Sequence, residues 1–337
     1  MKQLTRLLLS SILILCLLTG CGKGQEITSQ TTESQEAPVS IKISALSGPT
    51  AMGRVKLMKD ASEGTTENTY EFGPLATDPS AFAAAIVKNE VDICAIPSNL
   101  AANLYNKTNG NILVIAANVY GVVDIVQRGE NSIQSLSDLK GHTLYATGQG
   151  AVPEYTLRYL LKEQDMDADK DVDIRWCSDT TEALAKIKND ANAIAMLPQP
   201  FVTAAMAQVD DLAIALDLNE EWNKQNPDSP IITGCLIVRK DFAKTYPNQL
   251  NTFLKEYEKS VSYVKEHTDE AAQLIVDAGI VKAVPIAKKA LPACNLACLT
   301  GKELKSSLSS YLAIIYNYNP KAVGDKLPAD DFYYENK

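Results

Sequence analysis

Two short polar turns hold the residues of this sequence that are best suited to grip a small molecule. The first is Gly48-Pro49-Thr50, which follows an alternating strand pattern at residues 41–45 and precedes a helical spacing of apolar residues. The second turn, residues 147–154, carries two glycines and then a proline at a helix start. Such turns present backbone N–H groups and polar side chains where open α/β sheets bind ligands. We therefore expect the first turn to form a ligand wall and the second to mirror it.

The sequence lacks the residue patterns of the common catalytic and metal sites. No GxSxG, HExxH, GxGxxG or P-loop pattern occurs, and the only histidines are the scattered His142 and His267. Beyond the leader, no cysteine pair has the CxxC spacing of a zinc or redox centre. We therefore predict no catalytic residue, no cofactor and no metal. The remaining cysteines are interpreted as small core residues: Cys94, Cys177, Cys235, Cys294 and Cys298.

The first forty residues are predicted to export and tether the protein. Lys2 and Arg6 precede an apolar run that is too short to span a bilayer and is typical of a signal peptide, here residues 1–20. The run ends in Leu-Thr-Gly-Cys21, which resembles the lipobox of bacterial lipoproteins. That resemblance implies a mature chain that begins at Cys21 and is acylated there, as by palmitate; the alternative is an ordinary secretory signal with a chance cysteine. Residues 21–40 are polar and are predicted to form a flexible tether.

Charge and length narrow the possible partners and the domain count. Without the leader, 30 basic residues stand against 41 acidic ones, a net charge of −11. This balance argues against nucleic acid and against binding to anionic membrane surfaces by charge. The folded part, about 300 residues, exceeds one ordinary core and suggests two lobes.

Alternating strand and helix patterns predict the α/β fold class. Residues 91–96 and 172–177 are among the predicted strands, and residues 181–189 are a predicted helix. We expect two lobes, each a mostly parallel sheet flanked by helices, joined by two crossovers. The first lobe would comprise residues 41–121 and 235–337, and the second residues 122–234. A long helix should run from Pro247 to about His267, and the tail, residues 311–334, should form a last helix and an extended end.

Several longer segments carry a family resemblance. The segments ALSGPTAMGRVKLM, TGQGAVPEYTLRYLL and LIVRKDFAKTYPNQLNTFLKEY look like those of type II solute-binding proteins of ABC importers. The branch resembled handles alkanesulfonates, nitrate, taurine and thiamine-type pyrimidines. The ending IYNYNPKAVGDKLPADDFYY is similar to a Firmicute subgroup, with Gly324-Asp325 where the subgroup has Gly-Gly.

The resemblance implies capture of a small solute by closure of the two lobes, followed by docking on an ABC permease in the membrane. It places the protein on the extracytoplasmic face of the cell membrane through its lipid anchor, and we expect a monomer. It also implies a set of ligand contacts from both lobes: Thr50, Met52, Asn99, Tyr120, Gly121, Gln149, Gly150, Glu154, Gln199, Thr233 and Gly234.

Structural roles compete with binding at some of these positions. Thr50 could simply cap a helix, Met52 could be a packing residue, and Glu154 is favourable at a helix start without any ligand. Because neither Arg54 nor Arg158 lies in the turns themselves, we favour a neutral or weakly basic solute, such as a thiamine precursor or pyrimidine, over an inorganic anion. A sulfonate-like solute is the alternative ligand class. The alternative function is a lipid-anchored sensor or surface interaction protein without a transport role.

An enzyme of the same fold family is the remaining rival. The pyrimidine-forming enzyme of that fold relies on a site rich in histidine and cysteine. Two scattered histidines do not supply such a site, so we expect no enzymatic activity.

Overall fold

The computed structural model describes residues 39–76, 81–130 and 132–335. The predicted signal peptide, the lipidation residue Cys21 and nearly all of the predicted tether lie outside the described residues. Over the described ranges the chain forms two β-sheets, each with helices packed against it. We call each sheet with its helices a lobe.

The sheet of the first lobe has six strands in the order β11-β4-β10-β3-β1-β2. Apolar side chains fill β3, β4 and β10 almost continuously, because helices cover both faces of these central strands. The strands are β1 Ser40–Leu46, β2 Thr69–Ala76, β3 Ile93–Pro97, β4 Ile112–Tyr120, β10 Ile232–Arg239 and β11 Leu296–Leu299.

The sheet of the second lobe has five strands in the order β7-β6-β8-β5-β9. Its centre is β8, the segment IAMLP, whose first four side chains are buried. The strands are β5 Val123–Arg128, β6 Thr143–Ala146, β7 Asp173–Trp176, β8 Ile194–Pro198 and β9 Leu212–Asp217.

Helices connect the strands and line the junction between the lobes. Helix α5 of the second lobe contacts α13 of the first, and α7 contacts α12. The helices are α1 Pro49–Met52, α2 Val55–Ser62, α3 Ala81–Val87, α4 Ser98–Lys107, α5 Val152–Lys162, α6 Thr180–Asn189, α7 Phe201–Met206, α8 Leu218–Gln225, α9 Lys240–Thr245, α10 Pro247–Glu266, α11 Thr268–Asp277, α12 Val284–Ala290 and α13 Gly301–Tyr318.

The predicted two-lobed α/β architecture is confirmed, and the chain passes between the sheets twice. The first passage lies between β4 and β5, and the second between α8 and β10. Both sheets are mixed rather than mostly parallel. Strand β1 pairs in parallel with β2 and β3, whereas β10 runs antiparallel to β3 and β4. The reason is topological, because β10 enters the first sheet from the second lobe and therefore runs against its neighbours.

Local predictions fail at two places. Thr50 is not the N-cap of the first helix: α1 begins at Pro49, and the hydroxyl of Thr50 donates to the carbonyl oxygen of Leu46 at 2.8 Å. The last long helix, α13, begins at Gly301, ten residues before the predicted tail segment. Pro247 does open a helix, which ends at Glu266 as expected.

The core bears out the interpretation of the cysteines as small buried residues. Cys94, Cys177, Cys235 and Cys294 are buried, Cys298 is half-buried, and all five are free thiols. Burial raises the pKa of Cys294 to about 12, which leaves its thiol protonated and unreactive at neutral pH. No helix in the described ranges combines the length and apolarity needed to cross a membrane.

Arg54 is a buried cation for which the described residues offer no counter-ion. It lies between α1 and α2 and is 3% exposed, and its Nε and Nη1 have no hydrogen-bond acceptor. The guanidinium lies over the ring of Phe72, 5.8 Å from its centroid. Desolvation by burial lowers the pKa of Arg54 to about 10. Burying a charge without a partner disfavours the folded state.

We therefore expect Arg54→Met to raise the free energy of unfolding by about 1 kcal/mol, since the gain in desolvation exceeds the lost cation–π contact. Urea denaturation followed by circular dichroism measures the change. The exposed Arg175→Met is the control and should change stability by less than about 0.5 kcal/mol. A clear loss of stability in Arg54→Met alone would contradict this account.

Candidate functional site

A cavity of about 620 Å³ lies between the two lobes. Ser47, at the end of β1, and the connection between α11 and α12 form its first-lobe wall. The second-lobe wall comes from the start of α6, the end of β8 and helix α7. The volume is typical of pockets that hold small organic molecules. Its position between lobes that are joined by two crossovers makes it the candidate site.

The first-lobe wall begins with a tight turn. Gly48 has φ 112°, a conformation that side chains with a Cβ rarely adopt, so the chain turns sharply from β1 into α1. The N–H of Ser47 donates to the carbonyl oxygen of Ala76 at 2.8 Å, which fixes the turn to the end of β2. Across from it, Ile280 and Ile286 add an apolar surface from the α11–α12 region.

At the start of α6, carboxylates of the protein itself occupy the backbone donors. Asp179 is the N-cap and accepts hydrogen bonds from the N–H groups of Thr181 and Glu182, both at 2.8 Å. Glu182 in turn accepts from the N–H of Ser178 at 2.8 Å and from its hydroxyl at 2.9 Å. These bonds, led by the backbone one, lower the pKa of Glu182 and keep it ionised. Thr180 and Thr181 themselves line the cavity.

Helix α7 carries an unusual exposed aromatic side chain. Phe201 is 45% exposed, although large apolar residues of this chain are mostly buried. It lines the cavity beside Leu197, Pro200 and Ala204. The ring therefore stands at the cavity surface, where a ligand could cover it.

The cavity lining does not include the predicted contacts on α1, α4 and β10. Thr50 and Met52 are buried, 6% and 1% exposed. Asn99 is also buried, and its Nδ2 lies 3.5 Å from the carbonyl oxygen of Ala322, in the C-terminal segment. A Cβ on Gly234 would lie 2.7 Å from the Cγ2 of Thr50, so these two predicted residues are in direct contact. Thr233 is half-buried, and its hydroxyl has no partner among the described atoms.

Tyr120 and Gly121 lie at the first crossover. Tyr120 lines a different cavity, about 540 Å³ in volume, with Lys265, Asn295 and Cys298. Burial raises the pKa of its phenol. The carbonyl oxygen of Gly121 accepts from the Nδ2 of Asn295.

The predicted contacts of the second lobe fall into an exposed turn and a buried network. Gln149 and Gly150 are exposed. Glu154 accepts from the N–H of Gly150 at 2.7 Å and from the Nε of Arg158 at 2.8 Å, so it stabilises the start of α5. Gln199 is 2% exposed and directly precedes Pro200 of the cavity wall.

The structure thus brings two of the predicted contacts, Thr50 and Gly234, next to each other. A third, Gln199, lies next in sequence to the cavity wall. None of the eleven predicted contacts is among the described residues that line the 620 Å³ cavity. The lining residues that sequence reasoning missed are chiefly Ser47, Thr180, Thr181, Phe201 and the α11–α12 connection. For Thr180 and Thr181 a signal existed, because Ser178-Asp179 follows a predicted strand and precedes a predicted helix, as Gly48-Pro49 does.

Gln199 belongs to a buried network at the crossover. Its Nε2 donates to Asp124 at 2.9 Å, and its Oε1 accepts from the hydroxyl of Thr203 at 2.9 Å. Asp124 lies opposite Asp217 in the pairing of β5 with β9. Burial, then the charge of Asp217, raises the pKa of Asp124 to about 6 despite the hydrogen bond from Gln199.

We expect the contribution of Asp124 to stability to fall as pH rises from about 4 to about 6, because the folded state holds the Asp124 proton that the unfolded chain has released. At pH 7 the cost amounts to about 2–3 kcal/mol. The melting temperature of Asp124→Asn minus that of the wild type should therefore increase over this window, measured from pH 4 to pH 8. The exposed Asp165→Asn should leave the wild-type profile unchanged. A pH profile of Asp124→Asn parallel to the wild type would contradict the assignment.

The described residues contain no group of three or more histidine, cysteine, aspartate or glutamate side chains arranged to hold a metal ion. The cavity offers instead hydroxyl groups, one amide, one lysine, an aromatic ring and aliphatic surface. Such a lining suits reversible binding of a small molecule by hydrogen bonds and apolar contact.

The chain is similar to known proteins in sequence pattern and in fold. A family model described as "ABC transporter, phosphonate, periplasmic substrate-binding protein" matches residues 73–291. No curated protein matches the chain by sequence.

Three solved structures illustrate the shared fold. An ABC transporter protein from Parabacteroides distasonis is 24% identical with a TM-score of 0.75, covering 88% of this chain and 99% of its own. The periplasmic aliphatic sulphonate binding protein SsuA from Escherichia coli is 12% identical with a TM-score of 0.69, covering 89% and 94%. The alkanesulfonate-binding protein SsuA from Xanthomonas axonopodis pv. citri, solved with MOPS bound, is 10% identical with a TM-score of 0.65, covering 89% and 99%.

Proposed function

This chain belongs to the family of periplasmic substrate-binding proteins of phosphonate ABC transporters, and from that membership we propose that it captures a small organic solute between its lobes and hands it to a membrane permease. The family consists of solute-binding proteins, so the chain is a binding component of an ABC importer and not an enzyme, as its sequence predicted. Its place of action is extracytoplasmic.

The observation that carries the proposal is the cavity of about 620 Å³ with walls from both lobes. A solute there touches Ser47 of the first lobe and Thr180 of the second, so its binding energy favours the arrangement in which the lobes are close. Domain closure around a ligand is the usual conformational change of two-lobed binding proteins. A permease that recognises the closed form would then accept only loaded protein.

Two solute classes are supported by separate observations. Threonine and serine hydroxyls beside an aromatic ring suit a thiamine precursor, a pyrimidine or a similar neutral or weakly basic heterocycle. The second candidate is a sulfonate-like solute, which is favoured by the fold shared with proteins that bind aliphatic sulfonates.

We further propose that Cys21 carries the lipid that holds the protein to the membrane. Two acyl chains anchor durably where one does not, because each buried CH₂ contributes about 0.8 kcal/mol. Cells fed labelled palmitate should incorporate label into the wild type, and Cys21→Ala should lose the label and leave the membrane fraction. Membrane-bound Cys21→Ala protein would point to another anchor.

Mass spectrometry of small molecules released from the purified protein tests the transport role. We expect one organic solute in near-stoichiometric amount, and less of it when Phe201 is replaced by alanine. A sensor or surface protein without a transport role predicts a cavity that holds no solute. Protein that releases none and shows no thermal shift with any member of an organic solute library would contradict the proposal.

A further inference from the structure

We propose that the solute of the 620 Å³ cavity has an aromatic or similarly apolar body and a neutral or cationic polar group, and that Phe201 is the side chain on which the body packs. This inference rests on the proposed function and names the substrate class of the same site. It departs from the phosphonate named in the family description, because a phosphonate group carries strong negative charge.

Phe201 carries exposed apolar surface in the cavity wall. A phenylalanine that is 45% exposed leaves apolar surface in contact with water, which is unfavourable unless a ligand covers it. Leu197, Ala204, Ile280 and Ile286 continue this surface on both walls. A flat or compact apolar body would bury the ring and gain a face-to-edge or offset contact with it.

The first residues of α6, Thr180 and Thr181, line the cavity. A helix start normally attracts anions because its N–H groups are unpaired. Here Asp179 already accepts from two of those N–H groups, and the ionised Glu182 lies beside it. Neither carboxylate lines the cavity itself, but an anionic solute at Thr180 and Thr181 would find two donors of the helix start already occupied and negative charge next to them. A cation or a neutral group would not be repelled.

The polar side chains of the lining are three hydroxyls, one amide and one lysine. The hydroxyls of Ser47, Thr180 and Thr181 can both donate and accept hydrogen bonds. Among the described lining residues Lys282 is the one cation, and it is exposed. If anions were the natural ligands, Lys282 would have to supply most of their attraction, and this makes it the residue that separates the two possibilities.

The test uses three probes that share one apolar body: benzyl alcohol, benzylamine and benzylphosphonate. Calorimetry on the intact chain in detergent measures their affinity, and comparison between variants cancels partition of the probes into detergent. We expect benzylphosphonate to bind at least about tenfold more weakly than the other two. Phe201→Ala should weaken benzyl alcohol and benzylamine by about tenfold or more.

Ile214→Ala is the matched control, because Ile214 is also 45% exposed but lies on β9, away from the cavity lining. It should keep the affinity of every probe within about twofold of the wild type. Circular dichroism melting curves confirm that each variant is folded before its affinity is compared.

Three results would overturn the inference, and they differ from failure of the proposed function. The first is tighter binding of benzylphosphonate, lost in Lys282→Ala. The second is equal effects of Phe201→Ala and Ile214→Ala. The third is that no probe binds although the protein releases a copurified solute, which would leave the transport role intact. If no probe binds and no solute is released, the proposed function itself fails, and the inference fails with it.

Discussion

Replacing Trp222 by alanine is expected to lower the free energy of unfolding by about 3–5 kcal/mol, the usual cost of emptying a large buried site. Trp222 is fully buried in α8 of the second lobe. Its ring lies 4.7 Å from that of Tyr159 in α5 and 5.5 Å from that of Tyr311 in α13, which belongs to the first lobe. The indole N–H donates to the carbonyl oxygen of Ser229, at the second crossover, at 2.6 Å. Trp222 therefore packs against helices of both lobes and donates a hydrogen bond to the second crossover.

Trp222→Phe separates ring packing from the hydrogen bond. It keeps an aromatic ring between Tyr159 and Tyr311 but leaves the carbonyl oxygen of Ser229 without its donor, so we expect a loss of about 1–3 kcal/mol. Urea denaturation followed by circular dichroism suits both variants, because fluorescence would change with the loss of a tryptophan. Equal losses in both variants would mean that the hydrogen bond, and not the ring contacts, holds this junction.

Strands were predicted well where an apolar run ended at a residue that breaks secondary structure. Strand β3 was predicted at residues 91–96 and spans Ile93–Pro97. The prediction was close because a buried apolar run that stops at a proline fits few structures other than a strand. Strand β11, Leu296–Leu299, was not anticipated. It is a four-residue edge strand whose pairing with β4 depends on the rest of the sheet, and such a pairing has no local signal.

Local sequence patterns also did not predict the relative direction of all the strands. Alternation of strands and helices predicts parallel neighbours, and β1, β2 and β3 obey it. The returning strand β10 inserts between β3 and β4 and reverses the local direction. Only the order of strands in space, which a single sequence does not contain, decides that.

The sequence predicted a binding site at turns between two lobes, but it did not identify the residues that line the candidate cavity. The turns that end β1 and β8 do bring Ser47 and Pro200 to the cavity, as the position of strand ends requires. Thr50, one helical turn further, packs against Gly234 instead. Phe201 gave no signal, because an aromatic residue at a helix start is equally compatible with the core. Its place in the cavity wall becomes visible only when the two lobes are placed together.

Replacing Asp92 by alanine is expected to cost about 3 kcal/mol, because it leaves a nearly buried arginine without its main partner. The Nη2 of Arg239 and the Oδ1 of Asp92 are 2.8 Å apart, and their side chains are 12% and 9% exposed. The other carboxylate oxygen accepts from the N–H of Lys42 at 2.9 Å. Asp92 thus ties β1, the approach to β3 and the end of β10 together, at the end of the sheet away from the cavity.

The chain provides a matched control in Asp241, which pairs with the Nη1 of the same arginine but is 66% exposed. Because exposed ion pairs are screened by water, Asp241→Ala should cost less than about 1 kcal/mol. The difference between the two variants in urea denaturation measures what burial adds to a carboxylate on one guanidinium. Comparable losses would show that the pair behaves as a surface pair. In that case the hydrogen bond to Lys42 would contribute little, and the far end of the first sheet would depend on its apolar packing alone.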